Sequence, residues 1–153
     1  VSRHRQPPPP LALVVAGAVA QRALPGRRAT PVSRVAAAGL AALSAATLLA
    51  PVAQFARRGT TVDPRDGAEP ARLVTTGLNA WSRNPMYVAM VGLLSVHPLH
   101  HRSPLAVLPT MAFVTWIDRR QIPAEERALL HAFGAEYERY RSRVPRWIGP
   151  RRR

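Results

Sequence analysis

VAAAGLAALSAATLLAPVAQF, residues 35–55, is the stretch on which the fold turns. It holds no charged side chain and is rich in Ala and Leu, with Gln54 near its end; Arg34 precedes it and Arg57-Arg58 follow. About 20 residues rising about 1.5 Å each cover the hydrocarbon core of a bilayer, so the block reads as a transmembrane helix. The competing reading, a buried helix in a soluble bundle, needs polar surface to wrap around it. This chain has little.

Working outward, the N-terminal side runs Pro7-Pro8-Pro9-Pro10, then Leu11 to Ala20 without a charge, then Gln21 and Arg22. Counted from the prolines to Leu24, this segment is expected to cross the membrane with Arg22 snorkelling to the interface. A rival reading is a signal peptide, with Arg3 and Arg5 as the charged start, Leu11–Gly17 as the apolar core and Ala18-Val19-Ala20 as the cleavage site. Four prolines at the start of the apolar core fit that poorly. Downstream, Pro85–Leu99 is uncharged apart from His97, and Ser103–Ile117 is uncharged and carries Pro109. Joined by His100-His101-Arg102, the two predict a tight helical hairpin that crosses and returns, at the low edge of spanning length.

The remainder, Asp118 to Arg153, is polar and basic. Pro123 sits where a first helical position is expected, and Glu125 and Glu126 fall in that first turn. Leu129, Leu130, Phe133, Tyr137 and Tyr140 recur at three- and four-residue spacing, which predicts one amphipathic helix ending before Pro145. The expected architecture is all-α: a polytopic membrane helical bundle of about four transmembrane helices with an amphipathic C-terminal helix, one domain over residues 1–153.

Charge distribution supports a membrane setting. The 153 residues carry 22 Lys+Arg against 8 Asp+Glu, a formal net charge of +14, and every cation is arginine. Such a balance first suggests nucleic acid, but here the arginines alternate with long apolar blocks, so no nucleic-acid partner is expected. Four crossings put the N-terminus, the Arg57–Arg83 loop and the C-terminal tail on one side with most of the arginines. Arg22, Arg27, Arg28, Arg34 and Arg102 lie on the other side. The positive-inside bias then makes the termini cytoplasmic. Absent lysine and an Ala-, Arg-, Pro- and Gly-rich style point to a bacterial inner membrane. With no cysteine, disulfides, thiolate zinc sites, iron–sulfur clusters and thiol nucleophiles are excluded.

Glycine-rich nucleotide loops, His-Glu-x-x-His and Gly-x-Ser-x-Gly are missing. His97, His100 and His101 flank a turn with no acidic residue near in sequence, so they read as interfacial histidines rather than a metal site. Two other segments differ in kind. Leu73-Val74-Thr75-Thr76-Gly77-Leu78-Asn79-Ala80-Trp81-Ser82-Arg83-Asn84-Pro85-Met86-Tyr87 brings Arg, Asn, Pro and Tyr to the mouth of a membrane helix. Ile122-Pro123-Ala124-Glu125-Glu126, followed by Phe133-Gly134, Tyr137, Tyr140 and Val144-Pro145-Arg146, brings paired carboxylates to the same face. If apposed, they line one polar pocket. Plainer readings exist: Glu125 and Glu126 as first-turn acids favoured by the helix dipole, Tyr137 and Tyr140 as interface anchors, Trp81 and Trp147 as an aromatic belt, and Arg151–Arg153 as a headgroup-binding tail.

These motifs, with Thr61-Val62-Asp63-Pro64 before them, resemble the integral-membrane methyltransferases related to isoprenylcysteine carboxyl methyltransferase and the phospholipid methyltransferases. The resemblance covers roughly residues 60 to 148. It implies a helical membrane enzyme that uses S-adenosylmethionine and methylates a lipophilic or membrane-associated acceptor at a carboxylate, amine or thiol. Carried over, Arg83, Asn84, Pro85, Tyr87, Glu125, Glu126 and Tyr137 belong to the cofactor site, and Glu126 and Arg146 to catalysis, Arg146 holding polar groups of the acceptor. The chain departs from the pattern at Asn84, where His is common, at Ala89, where Gly is common, and around Asn79, which has Leu78 and Ala80 as neighbours. Asn84 cannot titrate, which excludes proton transfer at that position. The competing class is a non-enzymatic basic membrane protein that binds anionic lipid or a protein partner.

Overall fold

Thr30 and Ser33 start the longest helix by capping each other. The Ser33 amide donates to Thr30 Oγ1 (3.2 Å) and the Thr30 amide to Ser33 Oγ (3.0 Å), with Pro31 in the first helical position, where its missing N–H costs nothing. In this computed structural model, which describes residues 8–58 and 73–149 and their side chains except at 51–58, the elements in order are α1 (Pro10–Arg22), α2 (Pro31–Arg58), a 3₁₀ turn (Gly77–Ala80), α3 (Pro85–His100), α4 (Val107–Trp116), a π-helical turn (Ile117–Gln121) and α5 (Ile122–Arg143). Among the described residues there is no strand, so the all-α expectation holds. The Thr61–Pro64 motif, most of the Arg57–Arg83 loop and the Arg151–Arg153 tail lie outside the described residues.

Small residues let α2 and α3 pack closely. Ser33, Ala37 and Ser44 are the buried positions of α2 among its described side chains, and Gly92 of α3 lies so near Ser44 that a Cβ there would displace the serine hydroxyl. Ser33 Oγ also donates to the His100 carbonyl (3.1 Å), so α3 ends where α2 begins and the pair is antiparallel. Val32, Val35, Leu43 and Leu49 point outward from α2. Among the described residues one helical stretch, Pro31–Ala50, is long and apolar enough to cross a membrane, and only 17 % of its most apolar 18-residue window is buried. The other apolar helices are shorter.

Helix α1 joins this pair through a polar side chain. Pro98 has no N–H to give the Leu94 carbonyl four residues earlier, which leaves that acceptor open inside α3. Gln21, 1 % exposed, fills the gap: its Nε2 donates to Leu94 O (2.8 Å), Ala106 O (2.8 Å) and Thr110 Oγ1 (3.0 Å), and Thr110 Oγ1 donates to Leu94 O (3.2 Å). Val14 of α1 meanwhile packs with Tyr87, Met90, Leu94, Phe113, Ile117 and Ile122. The first apolar segment is therefore an integral part of the packed core.

Pro123 lies in the first turn of α5 together with Glu125, as the sequence predicts, but that helix start is not free: the backbone stays helical from Trp116 through Ile122 and the Ile122 amide reaches back to Ile117 O, a π-type bond. The wide turn absorbs the missing proline donor without a break. Glu125 and Glu126 therefore do not sit at a free helix N-terminus, and the dipole no longer accounts for them. The single amphipathic helix is corrected as well: Gly134 (φ 47°, ψ −124°) splits it into two pieces, in a backbone region that glycine alone adopts readily. Tyr137, Tyr140 and Val144 then pack with Leu73, Leu129, Leu130 and Phe133 in a second core.

Candidate functional site

Main-chain contacts first bring the distant segments together. The Arg83 amide donates to Pro145 O (3.0 Å), Ser82 Oγ and Asn84 Nδ2 donate to Arg146 O (3.2 and 3.0 Å), and Arg83 Nε donates to Val144 O (3.0 Å). Ser82 Oγ in turn accepts from the Asn84 amide (3.0 Å) just before Pro85 opens α3. The Val144–Arg146 stretch is thus moored to the entry of α3, over 60 residues earlier in the chain. Pro85 contributes a fixed φ at that entry rather than a polar contact.

Glu126 is the hub of the ionic contacts. Arg83 Nη1 donates to its Oε1 (2.6 Å) and also to Tyr137 Oη (3.1 Å), while Arg146 donates from Nε to Oε1 (3.1 Å) and from Nη2 to Oε2 (2.8 Å). Both the Arg83 and Glu126 side chains are largely shielded, 10 % and 13 % exposed. Arg146 then reaches Asp118 Oδ1 (3.2 Å), which also accepts from Trp147 Nε1 (3.0 Å). At 32 % and 38 % exposure, Arg146 and Asp118 form the open rim of the cluster. Hydrogen bonds to Glu126 and then Asp118, against the opposing effect of burial, hold the Arg146 guanidinium even more firmly protonated than usual.

Glu125, one position along α5, turns to a separate pair. Tyr87 Oη donates to its Oε1 (2.5 Å) and Gln121 Nε2 to the same oxygen (2.8 Å). Tyr87 belongs to the first core, so this contact joins α3 to the π-turn and α5. Tyr137 and Tyr140 are buried and are not interface anchors. Burial pushes the Tyr137 hydroxyl up against the opposing pull of Arg83, and burial, partly offset by Arg83, pushes Tyr140 up to about 12. The Tyr140 hydroxyl donates to Asn79 O (2.7 Å), fastening the turn that Gly77 opens at φ +62°.

All seven residues carried over by resemblance for the cofactor thus fall at one end of the bundle. Arg83, Asn84, Glu126, Tyr137 and Arg146 are hydrogen-bonded together, and Tyr87 with Glu125 forms the neighbouring pair. Asp118 and Gln121 are not singled out in the sequence; Ser82 stands there only as part of its motif, and Trp147 is expected in an aromatic belt. The one available signal was an acidic residue closing an apolar run in Trp116-Ile117-Asp118. Trp147 is held by Asp118, while Trp81 is 67 % exposed. Among the described residues no group of three His, Asp or Glu side chains is arranged to hold a metal ion.

Fold and site together define an all-helical protein with one charge-paired end. No family model matches the chain, and no solved structure matches it. Over 63 residues, 41 % of this chain and the whole of the other, it is 36 % identical to an uncharacterized protein of Haemophilus influenzae. The chain belongs to the same family as that protein.

Proposed function

We propose that the chain is an integral-membrane methyltransferase that moves a methyl group from S-adenosylmethionine to a lipophilic or membrane-associated acceptor. One observation carries the reading. The three segments that resemble the methyltransferase motifs, Ser82–Tyr87, Glu125–Glu126 and Val144–Arg146, converge into one hydrogen-bonded cluster from positions as much as 64 residues apart.

The residues present suit the cofactor, though with roles shifted from those the resemblance implies. Arg83 and Glu126 are shielded and satisfy each other, so they act as positioning residues that hold Arg146 and its loop, as does Asn84. The partly open groups are Arg146, Asp118 and Glu125. They offer one cation for an amino-acid carboxylate and two anions for an ammonium or ribose hydroxyls. Trp147 provides partly open aromatic surface beside them, suited to a sulfonium, and the buried Tyr87 holds Glu125 in place through its hydroxyl. S-adenosylmethionine supplies an electrophilic methyl group whose in-line displacement needs alignment and exclusion of water more than acid–base help.

This reading takes the helices as a polytopic bundle of about four crossings in the bacterial inner membrane, with the charge-paired end and the termini cytoplasmic. The outward Leu11, Val15 and Val19 of α1, Val32, Val35 and Leu43 of α2, and Leu108 and Met111 of α4 support it. Scattered exposed hydrophobics are ordinary on a soluble protein, but a belt across three helices marks an apolar surrounding. Side-chain satisfaction of the Leu94 carbonyl is also what a proline-containing membrane helix requires. At 16 residues, about 24 Å of helix, α3 suits a locally thinned bilayer.

The test is equilibrium binding of S-adenosylmethionine to detergent-purified protein, wild type beside Tyr87→Ala and Glu126→Ala. Saturable binding is expected in the wild type, weakened about ten-fold or more in each variant. Absence of saturable wild-type binding overturns the enzyme reading in favour of a non-enzymatic membrane protein. Unchanged binding in both variants overturns the site.

A further inference from the structure

At the opposite end of the bundle, where α1 and α3 end and α2 and α4 begin, the 23–30 loop lies against the α3–α4 turn. The Arg27 amide donates to His101 O (2.6 Å) and Ser103 Oγ to Pro25 O (2.5 Å). Gly26 permits the approach, because a Cβ there would stand 2.9 Å from that of His101 and 3.1 Å from its carbonyl oxygen. Between loop and turn is a cavity of about 450 Å³ lined by Arg22, Leu24, Gly26, His97 and His101. We propose that this cavity binds a phosphate-type anion, either inorganic phosphate or the phosphate of a lipid headgroup, independently of the methyltransferase reading.

The charge count comes first. Arg22, Arg27, Arg28, Arg34 and Arg102 all belong to this end, and the sequence has no Asp or Glu in residues 1–62 or 70–117. Every ion pair among the described residues lies at the other end. Arg22 and His97 fall in the last turns of α1 and α3, where helix dipoles favour cations, and this is the plain alternative explanation. It falls short on magnitude. Two helix C-termini supply about one negative charge equivalent, and the N-termini of α2 and α4 at the same end cancel it. Among the described residues none of the five arginines is paired with a carboxylate.

The histidines give a second, independent observation. The His101 ring packs against those of His97 and His100 at 4.7 Å each, so three titratable rings crowd together with no carboxylate to separate them. His97 Nδ1 is buried with no hydrogen-bond partner, the one such side-chain atom among the described residues. Leaving a buried polar atom unpaired is unfavourable, and an orphan of this kind commonly marks a place completed by an external group.

The test titrates inorganic phosphate, and separately a short-chain phosphatidylglycerol, into the detergent-purified full chain by calorimetry. Saturable binding of at least one is expected, weakened about ten-fold or more by Arg22→Gln and by His97→Gln and unchanged by Arg34→Gln, whose exposed side chain does not line the cavity. Phosphatidylglycerol binding about ten-fold tighter than phosphate assigns a lipid source; equal affinity assigns the free anion. Far-ultraviolet circular dichroism establishes that the variants fold, and S-adenosylmethionine binding by Arg22→Gln stays at the wild-type level if the two sites are separate. No saturable binding of either probe by the wild type, or binding undiminished in both cavity variants, overturns the proposal.

Discussion

The two ends of the helical bundle handle the same excess of arginine in opposite ways. At one end Arg83 and Arg146 are bound to Glu126 and Asp118, and the loops are moored by main-chain hydrogen bonds. At the other, Arg22, His97 and His101 line one open cavity and Arg27 and Arg102 its neighbour, with no carboxylate in either lining. The paired end is held together by its own side chains, so its charges set geometry. The unpaired end is the one proposed to take its counter-ion from outside. A net charge of +14 says nothing of this difference, which appears only once the acids are located.

The largest expected effect breaks the paired end. Glu126→Ala leaves Arg83 shielded and without its carboxylate, and Arg146 without two of its hydrogen bonds. A loss of about 3–5 kcal/mol in stability is expected, read by denaturant unfolding in detergent. A loss below about 1 kcal/mol would mean that Glu126 does not hold the cluster together.

Next comes the polar tie of α1 to α3 and α4. Gln21→Leu removes the donor that serves Leu94 O, Ala106 O and Thr110, and should cost about 1–3 kcal/mol in the same measurement. An equal loss in Thr110→Val, which keeps Gln21, would move the weight of this network from the amide to the hydroxyl. Gly134→Ala should cost about 1–2 kcal/mol, because alanine resists the positive φ there although space is open around it. If it is neutral, the split in α5 does not need glycine.

A pH dependence at the paired end completes the series. Burial lifts the Tyr140 hydroxyl to about 12 from an ordinary value near 10, so the folded protein keeps a proton that the unfolded chain releases. Its contribution is complete below about pH 10 and is lost as pH rises from there through about 12. Unfolding curves should therefore shift to lower denaturant across that window. Tyr140→Phe should flatten the Tyr140 part of the slope while losing about 0.5–1.5 kcal/mol with the bond to Asn79 O.

Much of this architecture is legible in the chain itself. Uncharged runs mark the helices, the Pro85 start of α3 is readable, and the hairpin turn at His100–Arg102 falls where the polar residues interrupt the apolar ones. The meeting of Ser82–Tyr87 with Glu125–Glu126 was suggested by motif order. The helical backbone running from α4 through the π-turn into α5 was not, since proline has the same φ in the first turn of a free helix and of one that continues another, and only the surrounding backbone separates the two. Gly134 reads as one small residue in an amphipathic stripe until its backbone angles are known. Gln21 looks like the polar end of an apolar block, because the acceptor it serves is opened by Pro98, 77 positions away. Asp118 likewise gains meaning from Arg146 and Trp147 across the fold, partners that local pattern cannot reveal.

The central claim is that the charge-paired end, not the arginine-rich one, holds the cofactor. Ultraviolet cross-linking of tritiated S-adenosylmethionine to the detergent-purified chain, followed by peptide mapping, tests it directly. The account predicts label on peptides containing Arg83–Tyr87, Asp118–Glu126 or Val144–Trp147, displaced by unlabelled cofactor. Displaceable label confined to peptides of the 22–34 and 97–106 regions, or no displaceable label at all, would contradict it.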